Sequence, residues 1–112
     1  MKAFAYFSSA AEKALARELA DRLAKEIPSS LVEKKRKLLS VNKVTRQLET
    51  SFQIATDYQI KNNIGFIKRA VLANAFKWEL KEKGYPDDFV EVATEGLLVA
   101  FARAKRGQAS QA

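Results

Sequence analysis

The residues whose types and spacing point most directly to chemistry are the four consecutive cations Lys34-Lys35-Arg36-Lys37. Clustered lysine and arginine attract phosphate backbones, and release of condensed counterions drives binding without reading any base. The run is part of a wider imbalance. Residues 34–77 hold ten basic residues against Glu49 and Asp57, a net charge of +8. Residues 1–33 sum to zero and residues 78–112 to −1, so the formal charge of +7 originates in the middle third. On a helix the four-residue run sweeps most of the circumference and cannot face one way. Arg36, Lys43 and Arg46 share a broad face turned away from Val41, Val44 and Leu48. Lys61, Lys68 and Arg69 would extend that patch if the helices fold back suitably. The pattern predicts an interface for DNA or RNA phosphate made by Lys34, Lys35, Arg36, Lys37, Lys43 and Arg46. Its alternative is a solvated basic face that keeps the protein soluble.

Aromatic residues interleaved with cations are the second pattern. Phe52, Tyr58, Phe66, Phe76 and Trp78 alternate with basic residues along the chain, as base-stacking platforms would. Helical spacing, however, puts Phe52, Phe76 and Trp78 on apolar stripes, where core packing is the expected role. Tyr58 is the least committed, and its hydroxyl suits a surface.

The acidic group Asp87, Asp88, Glu91 and Glu95 is the nearest approach to a metal or catalytic constellation, since Glu91 and Glu95 lie one turn apart. Acids in a first helical turn are already favoured by capping and by the helix dipole, which is the expected reading. Other catalytic templates fail. The chain has no cysteine and no histidine, which removes disulfides, thiolate nucleophiles, imidazole bases and most zinc chemistry. Its serines have no histidine to activate them, and its four glycines, at 65, 84, 96 and 107, form no phosphate-binding loop. The chain is therefore read as non-enzymatic, with no cofactor and no metal.

The elements that must position these groups are helices. Ser9 and Glu12 form a capping box before a helix from Ala10 to Ile27, and Pro28 closes it. Leu15, Leu19, Leu23 and Ile27 recur every four residues, widened by Ala16 and Ala20. Ser30 and Glu33 form a second box, with helix through Leu39 and again from Val41 to about Ile60. Within that stretch Phe52, Ile54, Tyr58 and Ile60 also alternate as a strand would, but the longer helical stripe favours helix. Asn62-Asn63-Ile64-Gly65 reads as a break. The helix from about Gly65 to Lys83 has two apolar stripes: Ile64, Ile67, Val71, Ala75 and Trp78, and Phe66, Ala73, Phe76 and Leu80. It is expected to be central and packed on both sides. Gly84 and Pro86 stop it. Asp88 and Glu91 form a third box opening the last helix, in which Gly96 leaves room for a close neighbour and which Gly107 ends.

The expected fold is all-α, a compact bundle of four or five helices, with Lys2–Phe7 a short strand or extended lead-in. Residues 1–107 form a single domain and 108–112 a short disordered tail. The longest apolar run, Leu97 to Ala102, is far short of the roughly 20 residues needed to span a bilayer. The start lacks the longer apolar region of a secretory signal, so a soluble cytoplasmic protein with no membrane partner is expected. The amphipathic stretch Leu31–Leu39 has too little apolar surface for a membrane role. Two functions remain. One is nucleic-acid binding through the middle third. The other is a protein–protein interaction module, an adaptor or dimeric scaffold with an acidic or helical partner, because a helix apolar on two sides would be served by a homodimer.

Overall fold

The computed structural model describes residues 9–34 and 41–111 and is all-α: α1 (Ala10–Glu26), α2 (Ser29–Lys34), α3 (Val41–Asn62), α4 (Phe66–Glu82) and α5 (Asp87–Gln111). No strand occurs among the described residues, and the stretch from Phe52 to Ile60 is helical throughout. The possible strand at Lys2–Phe7 and the helix expected over residues 35–39 lie outside the described residues. No described helix is long and apolar enough to cross a membrane.

The four-residue spacing of α1 becomes the centre of the core. Ala16, Leu19, Ala20, Leu23 and Ile27 are buried, with Leu15 half-buried at the margin. This face packs most extensively on α4, which presents Leu72, Ala73, Phe76 and Leu80. Helix α5 packs on α4 as well, contributing Val90, Ala93, Leu97 and Phe101 to the same core. Helix α3 packs on α5 and, less extensively, on α1. Consecutive helices α3 and α4 are joined by only three residues, yet they are not packed side by side. The short connection thus marks a change of direction, not an antiparallel pairing. Two ion pairs across α1 and α4 support their contact: Lys83 Nζ lies 2.6 Å from Asp21 Oδ1, and Arg17 Nε lies 3.6 Å from Glu79 Oε2.

The breaks on either side of α4 are built alike. At the end of α3 the Asn63 amide donates to the Ile60 carbonyl and the Ile64 amide to that of Gln59, with Asn63 at φ 49°. At the end of α4 the Gly84 amide donates to Lys81 and the Tyr85 amide to Leu80, with Gly84 at φ 90°. Each is a Schellman turn, satisfying orphan carbonyls through one left-handed residue and burying the apolar residue after it, here Ile64 and Tyr85.

The helix starts differ from the capping boxes in the sequence. The Ser9 side chain makes no capping hydrogen bond, and Glu12 is not turned back toward it. Glu12 is only 2% exposed and accepts a hydrogen bond from the Tyr58 hydroxyl of α3. A buried carboxylate needs a partner more than a helix end reachable by solvent does, which explains the choice. Helix α2 begins one residue before Ser30, with the Pro28 carbonyl accepting from Leu31 and Val32. Helix α5 begins at Asp87, one residue ahead of the Asp88–Glu91 box, and the Pro86 carbonyl receives the Val90 amide. It also runs through Gly107 to Gln111, because a glycine weakens a helix by about 1 kcal/mol without ending it.

The expectation that α4 is buried on two sides is corrected. Its Ala73–Phe76–Leu80 face is core, but Ile67 is 63% exposed and Trp78 54% exposed on the second stripe. Among the described residues no other helix is packed over Ile67 and Trp78.

Candidate nucleic-acid interface

Lys43 and Arg46 project from the first turns of α3 and are exposed, as the stripe of Val44 and Leu48 on its opposite, half-buried face requires. Lys34 closes α2, while Lys35, Arg36 and Lys37 lie outside the described residues. Lys61 does not extend this patch. Fifteen residues of helix separate it from Arg46, a rise of about 22 Å at 1.5 Å per residue. Between the two ends α3 exposes Glu49 and Asp57, the latter receiving a hydrogen bond from Gln53 Nε2 at 2.8 Å.

Lys61 instead joins a second basic cluster at the α3–α4 turn. Lys68 and Arg69 stand in the first turn of α4, both half-buried. That first turn holds no acidic residue, and Gly65 before it offers no side-chain cap. From Tyr58 to Trp78 the chain carries Lys61, Lys68, Arg69 and Lys77 and no carboxylate at all. Phe66 sits at the same place and is 77% exposed, the most exposed large apolar side chain among the described residues.

The aromatic side chains therefore divide otherwise than their spacing implies. Phe76 is fully buried and Phe52 half-buried, as expected of core residues. Trp78 is not: it lies on the uncovered stripe of α4 with Lys81 Nζ 5.0 Å from its ring centroid, a cation–π contact. Tyr58 is not a free surface hydroxyl either. Its bond to the Glu12 carboxylate, with some desolvation, raises its pKa to about 12. Phe66 was legible as a residue between cations, but assignment to an apolar stripe hid its exposure.

The remaining displaced titrations have structural causes. Burial raises the Tyr85 phenol to about 12, and its hydroxyl donates to the Ile27 carbonyl. The hydrogen bond from Lys83 lowers the exposed Asp21 carboxyl. No group of three or more acidic side chains poised to hold a metal occurs among the described residues. Asp87 and Asp88 lie in the first turn of α5, and Asp88 Oδ1 accepts from the Phe89 amide at 2.8 Å, a local capping role.

Helices α3 and α5 enclose a shallow groove of about 750 Å³, lined by Phe52, Thr56, Ile60, Val99 and Arg103. Gly96 permits their approach. A Cβ at this position would lie 2.7 Å from the Phe52 ring, so the close neighbour inferred from the glycine is present. Comparison of the chain with protein-family models, curated proteins and solved structures finds no significant match.

Proposed function

We propose that this protein is a non-enzymatic helical module that binds the phosphate backbone of nucleic acid through its basic middle third. The observation that carries the reading is the net +8 of residues 34–77, part of it presented by the exposed Lys43 and Arg46 of α3. Lys34, Lys35, Arg36 and Lys37 supply the densest charge in that segment. Such binding is driven by counterion release, so its salt dependence is its signature. Titration of labelled DNA and RNA at ~50 and ~200 mM salt should show affinity falling by about a thousandfold if six or more phosphates are contacted. Neutralising Lys34, Lys35, Arg36 and Lys37 together should weaken binding and flatten that slope. Equal, salt-insensitive retention of wild type and the neutralised protein overturns the reading.

The α3–α5 groove favours a second reading, a protein-interaction module that self-associates or holds a partner helix. Ile60 and Val99 in the groove are 46% and 48% exposed, and Leu98 beside it is 46% exposed. Apolar side chains at helical spacing around a groove are what a docked amphipathic helix uses. Light scattering separates the outcomes: a discrete dimer that Val99→Glu dissociates supports this reading, and a monomer at all concentrations removes its dimeric form.

A further inference from the structure

We infer that the α3–α4 turn is a stacking site for an unpaired base, so that the nucleic acid bound is single-stranded; this rests on the nucleic-acid reading above. Three observations converge on one corner of the molecule. Phe66 is 77% exposed, with Ile67 beside it at 63%. Lys61 comes from the last turn of α3, and Lys68 and Arg69 from the first turn of α4, so cations flank the ring in sequence on both sides. The sequence from Tyr58 to Trp78 that builds this corner contains no carboxylate.

Fold stability accounts for none of this. An exposed phenylalanine contributes little to the core, and lysine or arginine in a first helical turn opposes the helix dipole. A base stacked on the ring would cover the apolar surface, and its flanking phosphates would neutralise the cations. Aromatic stacking with a backbone-tracking basic surface is how single strands are held without sequence preference. A duplex keeps its bases stacked on one another and offers Phe66 no face. A purely electrostatic patch would have no use for the ring.

The test measures fluorescence anisotropy of labelled oligo-dT, oligo-U and a duplex of equal length with the full chain. Wild type should prefer both single strands to the duplex. Phe66→Ala should weaken single-strand binding by about five- to a hundredfold, as expected for loss of one stacked base, and leave duplex binding within about twofold. Phe66→Trp in a Trp78→Phe background should restore binding, and single strand but not duplex should quench its fluorescence. Failure of Phe66→Ala to change the ratio of single-strand to duplex affinity overturns the inference, as does absence of quenching. If binding remains salt-dependent and sensitive to Lys34–Lys37 neutralisation but indifferent to Phe66, this inference falls and the parent reading stands. If wild type binds no oligonucleotide at ~50 mM salt, both fall.

Discussion

The turn from α3 to α4 and the turn from α4 to α5 use one backbone device, with Asn63 and Gly84 in the left-handed position and Ile64 and Tyr85 folded back under the preceding helix. The side chains beyond the two turns are opposite in character. After Gly84 come Tyr85 stacked on Phe89 at 4.8 Å, Pro86, and Asp87 and Asp88 in the first turn of α5. Every one of these groups serves the fold: the ring is buried, the hydroxyl reaches Ile27, and the acids complement the helix dipole. After Asn63 come Gly65, two exposed apolar side chains and two cations. The second corner is assembled against the same rules that the first obeys. The contrast teaches that equal local geometry leaves a corner open to another use when its side chains do not stabilise the helix they begin.

The largest expected difference tests burial. Tyr85→Ala should destabilise the protein by about 3–5 kcal/mol in urea unfolding, as loss of a buried aromatic does, whereas Phe66→Ala should change stability by no more than about 0.5 kcal/mol. A substantial loss at Phe66 would mean that this corner belongs to the core and would end the contrast. The same side of the comparison has a pH signature. A phenol whose folded pKa is raised from 10 to about 12 favours the folded state below pH 10, and that contribution is lost as pH rises through 12. Tyr58 shares the shift through Glu12, so thermal melts should decline between pH 10 and 12, and less so in Tyr85→Phe.

A smaller effect tests the turns themselves, and the sign should differ. Gly84→Ala places a Cβ on a residue at φ 90° and should cost about 1–2 kcal/mol. The cost is conformational, since the nearest foreign atom, Ser29 Oγ, would be at an ordinary 3.5 Å. Asn63→Gly relieves the corresponding strain at φ 49° and should stabilise by up to about 1 kcal/mol. The smallest effect tests charge. At low ionic strength Lys68→Glu should stabilise and Asp87→Lys destabilise, each by about 0.3–1 kcal/mol, with both effects fading in salt. Equal signs would show that the two helix starts are electrostatically alike.

Much of the architecture was legible in the residues. The four-residue spacing of Leu19, Leu23 and Ile27 marked a buried face, Gly84 before Pro86 marked a stop, and Gly96 marked a close approach. Two kinds of feature were not. Periodicity says which side chains share a stripe but not whether another helix exists to cover it, so Ile67 and Trp78 read as core and are exposed. Local motifs say what a side chain can reach nearby but not what tertiary partner competes for it, so Glu12 read as a cap and is claimed by Tyr58, 46 residues away. The candidate interface was legible as charge. Its division into two basic ends needed the length of α3, and the exposure of Phe66 needed the packing of α4.

The buried side of α3 differs in kind from the rest of the core. Among the described residues its one fully buried apolar side chain is Ala55, with Val44, Leu48, Phe52 and Ile54 half-buried against the core, and Ser51, Thr56 and Gln59 are buried beside it. Ser51 Oγ and Gln59 Oε1 find no hydrogen-bond partner among the described residues, and Thr56 bonds to the Gln53 carbonyl one turn back. Helices α1, α4 and α5, by contrast, bury leucines, valine and phenylalanine against one another. Opening α3 would hydrate its unpaired polar atoms while exposing apolar side chains that are only half-buried to begin with. The backbone amides of α3 should therefore be the first of the long helices to trade their protons for deuterium, through a sub-global unfolding that leaves the other three assembled.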